Sequence, residues 1–224
     1  MDMVSKSPKN SGAVIAVDGP AASGKGTIAR ALAKQLGLPH MDTGLLYRAV
    51  ALNLWRWGGN PANEFEALRA CDSLGFNPDD PELRSEPVSE IASRISAYPS
   101  VRMALLKRQQ DFAHQDGGAV LDGRDIGTVI APEADVKLFV TASPGVRARR
   151  RMKELEARGM TAGYEDVLGD IHARDQRDST RDVAPLIPAK DAIILDTSEL
   201  DIGGAIAEAL RIAQQRLDRE KLSS

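Results

Sequence analysis

The sequence predicts an α/β protein, with a parallel sheet flanked by helices and a phosphate-binding loop at the end of the first strand. Three observations lead there. Short apolar runs alternate with longer amphipathic stretches along the 224 residues. The runs are bounded by Gly, Asp or Pro and are too short for helices, which is how strands buried on both faces read. The segment AVIAVDGPAASGKGTIARALAKQL, residues 13–36, joins one such run to a helical pattern through a glycine-rich turn.

The predicted strands are AVIAV at 13–17, AVL at 119–121, VKLFV at 136–140 and AIIL at 192–195. Between them, Thr27–Leu36, Leu45–Trp57, Val101–His114 and Val146–Arg158 repeat apolar residues at helical intervals. A last pattern, Ile202–Leu217, places Ile202, Ala205, Ile206, Ala209, Leu210 and Ala213 along one side. This alternation argues for a doubly wound domain. Two segments interrupt it. Residues 72–90 carry Pro78, Pro81 and Pro87 among many charges and read as an inserted surface lobe. Residues 143–185 are dense in Arg and Asp and offer little core.

Composition excludes several function classes. The hydrophobic share of 42% and charged share of 27% are ordinary for a soluble enzyme. A net charge of -3 gives no general pull towards nucleic acid. The lone Cys71 excludes an intrachain disulfide framework and suits a reducing cytosol. No apolar stretch approaches the roughly 18 residues of a membrane span. A cytoplasmic protein without nucleic-acid or membrane partners is therefore expected. The polar opening MDMVSKSPKNSG is expected to be a disordered tail over residues 1–12.

Gly19-x4-Gly24-Lys25 lies between a strand and a helix, the context a phosphate-binding loop requires. Glycines let the backbone curl so that successive N–H groups face phosphate oxygens, and the helix start adds its positive end. Gly19, Pro20, Ala21, Ala22, Ser23, Gly24, Lys25, Gly26 and Thr27 are thus expected to bind a nucleoside triphosphate. Gly26 stands where Ser or Thr usually offers a hydroxyl to Mg²⁺. The metal is then expected to rest mainly on phosphates and water, with Thr27 and Asp122 as further contacts.

Three constellations pair arginines with carboxylates. In MDTGLLYRAV, Asp42 and Thr43 start a helix that carries Tyr47 and Arg48 one turn on. A capped helix with a core tyrosine explains Asp42 and Thr43 equally well. LDGRDIGTV puts Asp122 at the carboxyl end of a strand, where open α/β sheets bind ligands, with Arg124 and Asp125 just after. An Arg–Asp pair bracing the loop is the alternative. In HARDQRDSTRDVAPLIP, Arg174, Asp178 and Arg181 make one row on a helix, with Asp175 and Asp182 beside it. Here the alternative is a solvated, self-paired face. Upstream, Arg147, Arg150 and Arg151 share a face. Guanidinium groups match phosphate oxygens bidentately, and transfer between two nucleotides needs many such donors.

Taken in order, DGPAASGKGT, MDTGLLYRAVAL, DGRDIGTVI, the RRRM stretch, ARDQRDSTRDVAPL and AIILDTS resemble the bacterial cytidylate kinases. These belong to the P-loop nucleoside monophosphate kinases, and the resemblance covers about residues 14–212. It implies a P-loop NTPase fold with an inserted monophosphate-binding lobe and a mobile lid. It also implies that ATP and Mg²⁺ serve to phosphorylate CMP or dCMP. Carried onto this chain, cytosine meets Ser93, Arg102 and Asp125, and ribose meets Arg174 and Asp178. The CMP phosphate meets Thr43, Tyr47, Arg48, Arg124 and Arg181, while Arg147, Arg150 and Arg151 approach the ATP phosphates. Lys25, Arg124, Arg181, Arg150 and Arg151 are the expected catalytic set. A core of 13–60, 100–142 and 186–224 is expected, with a lobe at about 61–99 and a lid at about 143–185, as a monomer.

Asp125 and Arg102 suit cytosine chemically. A carboxylate accepts from the exocyclic amino group and a guanidinium donates to the ring acceptors; uracil, with oxygen in place of the amine, would leave Asp125 unmatched. The chain departs from the pattern of many members in one region. It has only Leu74–Glu86 where they carry a longer, strand-bearing insertion. Two other classes share the loop. A small-metabolite kinase of the shikimate type would not account for Arg102 with Asp125. A nucleotide-sensing module would need a bistable partner surface.

Overall fold

The computed structural model describes residues 12–223 except 73 and 76, with side chains up to residue 219. All but the last residue of the expected tail therefore lies outside the described residues. The sheet has five strands: β1 (Val14–Asp18), β2 (His40–Asp42), β3 (Ala119–Gly123), β4 (Val136–Thr141) and β5 (Ile193–Asp196). Their order is β2-β3-β1-β4-β5, and every pairing is parallel. The four expected strands are present. β2 is additional: His-Met-Asp is too short and polar to show a pattern, and it becomes a strand by pairing with β3.

The helices are α1 (Lys25–Leu36), α2 (Thr43–Trp57), α3 (Glu64–Arg69), α4 (Glu86–Ile95), α5 (Pro99–Ala113), α6 (Pro144–Glu156), α7 (Tyr164–Thr180) and α8 (Ile202–Ser223). Successive residues of β1 serve opposite faces, as a strand's period of two requires. Ile15 and Val17 pack with Leu32 of α1 and Ala209 of α8. Ala16 packs with Leu121, Ala113 of α5 and Ile126. The order reverses at β1, with β3 and β2 to one side and β4 and β5 to the other. The loops after β1 and β3 therefore open on one crevice.

Two further cores flank that crevice. Helices α2 to α5 share a cluster that includes Leu54, Leu83, Val88, Ile95 and Leu105. The proline-rich stretch is thus only partly surface. Leu83, in a 3₁₀ turn at Pro81–Arg84, and Val88 are fully buried. Helices α6 and α7 enclose Ala148, Leu155, Val167 and Ile171, with Met152, Met160 and Tyr164 against them. The expectation of little core at 143–185 is corrected accordingly: the few apolar residues there are gathered into one seam.

A second correction concerns Arg181. Helix α7 ends at Thr180 and Arg181 is extended, at φ -66 and ψ 141. The expected row of three is thus two helical residues and one beyond the helix. A proline at 185 would clash with the carbonyl of residue 181 in a continued helix. Instead the chain turns at Ala184, which is left-handed at φ 51.

Candidate active site

The donor side begins where β1 ends. Gly19 approaches β4 so closely that a Cβ would lie 2.0 Å from the Val140 carbonyl oxygen. Gly24, at φ 91, is the residue before α1, and no side chain caps the helix. Ala22 is left-handed at φ 58, and Ala184 is the other non-glycine residue with positive φ among those described. Such a conformation costs an L-residue about 1–2 kcal/mol, and it persists where the surroundings enforce it. They do so from outside the loop. Arg147 Nη1 donates to the Ala21 carbonyl at 3.3 Å and Arg150 Nη1 to the Ser23 carbonyl at 3.2 Å. Thr197 Oγ1 donates to the same Ser23 carbonyl at 3.1 Å. With these carbonyls engaged, the loop offers the crevice its N–H groups and the open end of α1.

Lys25 lies over the loop, its Nζ 3.2 Å from the Pro20 carbonyl oxygen. Burial pulls its ammonium down to about 7, and Arg124 adds to this against Asp122 and Asp42. An anion in the crevice would reverse that shift.

The other side starts from β2 and β3, whose register sets Asp42 opposite Asp122. Asp122 Oδ1 lies 2.8 Å from His40 Nε2, and its carbonyl accepts from Thr43 Oγ1 at 2.8 Å. Burial, and then Asp122, push the Asp42 carboxyl above its ordinary range. Beyond them stand Arg48, Arg124, Arg151 and Arg174. Arg48 is held by the Leu83 carbonyl at 3.0 Å and Ser89 Oγ at 2.5 Å. Arg124 Nε donates to Asp178 Oδ2 at 2.8 Å. Burial alone would raise Asp178, but Arg124 and Arg174 hold it below the usual carboxylate range. Arg174 has a buried Nε with no hydrogen-bond partner. Burial pulls Arg174 down to about 9 and Arg48 to about 10, and both feel the repulsion of Arg124 and Arg151. Crowded cations in a low dielectric mark the place for an anion.

Deeper still, Arg102 and Asp125 form a buried ion pair. The Arg102 guanidinium lies 5.9 Å from the centre of the Tyr47 ring. Arg181 Nη2 stands 3.7 Å from Asp125 Oδ1 and has no hydrogen-bond partner. Ser93 Oγ accepts from Arg177 Nη2 at 3.3 Å.

A cleft of about 740 Å³ joins the two sides. That is within the range of small-molecule sites. Gly24, Lys25 and Thr27 line it on one side; Arg48, Ser93, Arg124 and Arg174 line it on the other. Arg151 also lines it, paired with Glu86. Tyr47, Arg102, Asp125, Asp178 and Arg181 are not part of its lining, and Thr43 is turned into the end of β3. Arg147 and Arg150 sit behind the phosphate loop, Arg147 also meeting Asp175 at 2.9 and 2.5 Å. Sequence reasoning missed Asp18, His40, Arg177 and Thr197. The strand ends at Asp18 and Asp196 were visible signals for the first and last; His40 and Arg177 carried none.

A parallel sheet with a phosphate loop after its first strand, facing a second anion site across one cleft, defines a P-loop phosphotransferase. A family model described as cytidylate kinase matches residues 15–215. The cytidylate kinase of Xanthobacter autotrophicus is 57% identical over 205 residues, covering 91% of this chain and 98% of that protein. The cytidylate kinase of Azorhizobium caulinodans is 54% identical over 204 residues, covering 90% and 98%. The chain belongs to the cytidylate kinase family and is a kinase that acts on nucleotides. A gluconokinase from Sinorhizobium meliloti shares the fold, with a TM-score of 0.53 at 16% identity over 95% of this chain and 97% of that one.

Proposed function

We propose that the protein moves the γ-phosphoryl group of ATP to CMP or dCMP, giving ADP and CDP or dCDP. One observation carries this: a single cleft has the phosphate loop on one side and an arginine cluster on the other. Within that cluster Arg48 and Arg174 are desolvated, have no salt bridge among the described residues and are repelled by Arg124 and Arg151. The CMP phosphate oxygen is already nucleophilic, so no covalent enzyme intermediate is needed. The work is positioning and charge neutralisation.

In this reading the loop residues Gly19 to Thr27 hold the ATP phosphates and Lys25 follows the charge as it moves. Arg48, Arg124 and Arg181 hold the acceptor phosphate, with Thr43 and Tyr47 shaping its floor. Arg174 and Asp178 face the ribose, and Ser93, Arg102 and Asp125 the base. Arg147 and Arg150 brace the loop, and Arg151 turns from Glu86 to phosphate. The proposed division keeps a sheet core, a monophosphate lobe and a lid, with α2 and α5 as the lobe's supports.

The donor set fits a divalent cation held largely by phosphate and water. No group of three or more metal-ligating side chains is assembled among the described residues. Asp122 and Asp42 nonetheless stand together beside the loop, and Thr27 opens on the cleft. These would hold Mg²⁺, which when bound adds positive charge against the phosphates. No helix among the described residues is long and apolar enough to cross a membrane. A cytoplasmic monomer is the proposed form. Coupled ADP-release assays with CMP, dCMP, UMP, AMP and shikimate test the reaction: turnover should be fastest with CMP or dCMP, and a preference for shikimate or AMP overturns the reading.

A further inference from the structure

Asp18 has no part in the reaction described above, yet it is a buried carboxylate between the two halves of the site. It is 4% exposed, and the next residue, Gly19, opens the phosphate loop. Its side chain crosses to the other half. Ile126 N–H donates to Oδ1 and Gly127 N–H to Oδ2, each at 2.8 Å. These are the first two amides of a π-type turn, Ile126–Ile130, that follows Asp125 directly.

The residue in the N-cap position of that turn is Asp125 itself, and its side chain makes no capping bond. An aspartate there ordinarily accepts from the second or third amide of the turn, here Gly127 or Thr128. Asp18 has taken the Gly127 amide, together with that of Ile126, and the Asp125 carboxylate points away towards Arg102 and Arg181. We infer that Asp18 is a positioning residue for the acceptor site: by capping the 126–130 turn from β1, it holds Asp125 out towards Arg102 and the base. The inference rests on the proposed role of Asp125 at cytosine.

Without Asp18, Asp125 has a competing use as the cap of its own turn. Asp18→Asn keeps the shape and one acceptor but sets an NH₂ group against a donor amide. This variant should raise KM for CMP about tenfold, the scale of one lost hydrogen bond, and leave KM for ATP within about twofold. It should also narrow the preference for CMP over UMP. In the double variant with Asp125→Ala, the loss of that preference should not exceed the loss from Asp125→Ala alone. Asp18→Ser probes the same contact with one oxygen in place of two, so that at most one of the Ile126 and Gly127 amides keeps its acceptor. It serves in place of Asp18→Asn if that chain does not fold. Equal losses for ATP and CMP, or additive losses in the double variant, would make Asp18 merely structural and overturn the inference. Should Asp125→Ala by itself spare the CMP preference, the base-site reading falls and takes this inference with it. If Asp125→Ala is selective and neither Asp18→Asn nor Asp18→Ser is, only the inference fails.

Discussion

The two sides of the cleft are built in opposite ways. The donor side is one continuous segment, residues 19–27, whose instrument is the backbone, braced from behind by Arg147, Arg150 and Thr197. The acceptor side is assembled from side chains on α2, α4, α5, α7 and the loop after β3. Its arginines repel one another and hold N–H groups with no partner. A backbone cradle keeps its shape whether or not a ligand is present. A cluster of cations is completed only by the anion it awaits. In the proposed reading, one side is preorganised by the fold and the other is completed by its substrate.

The sharpest break of that contrast is at Lys25, the one charged side chain of the donor loop. Lys25→Ala should lower kcat about a hundredfold to a thousandfold, the usual loss for a group that stabilises moving charge. CMP affinity, measured by calorimetry, should change only a few-fold. Near-normal turnover would remove the loop from the chemistry.

On the acceptor side, Asp125→Ala should cost about 1–3 kcal/mol in kcat/KM for CMP relative to UMP, with ATP binding preserved. Some loss with UMP is expected too, since Arg102 loses its partner. An equal fall for both acceptors would mean that Asp125 only braces the loop.

The contrast also has a proton signature. Burial disfavours the charge of Lys25 and pulls its ammonium down to about 7. Bound phosphates favour the charged form, so ATP binding should take up about one proton at pH 8 and almost none at pH 6. Calorimetry in buffers of different ionisation enthalpy reads this directly, and Lys25→Met should abolish it. Uptake that persists in Lys25→Met would place the proton elsewhere.

The smallest effect is at the lid. Arg151 is tied to Glu86 of the lobe, a pair with side chains 20% and 47% exposed. Exposed pairs contribute about 0–1 kcal/mol. Glu86→Gln should therefore lower KM for ATP by no more than about fivefold, since Arg151 loses one of two partners and keeps Glu154 at 2.9 Å. A raised KM would show that the tie aids binding.

How far the site was legible follows from the same contrast. The phosphate loop was visible because its signal is local: glycines, a lysine and a flanking strand and helix within one segment, each required by backbone geometry. Strands β1 and β3 were legible for a related reason, since burial on both faces leaves an unbroken apolar run. The arginines were visible as charges, but their partners were not. Arg147 reaching Asp175, Arg177 reaching Ser93 and Arg151 reaching Glu86 all span gaps in the chain that no spacing encodes.

The sequence by itself determined the fold class, the donor loop and the kind of chemistry, because those rest on short-range patterning and on residue types that few other reactions require. Tertiary structure alone decided that β2 exists and that the charged lid has an apolar seam. It also decided that Asp18 caps the turn beyond Asp125 from 108 residues away. The physical reason is the same in each case: the residue's free energy is set by a neighbour brought near by packing, and a one-dimensional pattern carries no record of that neighbour.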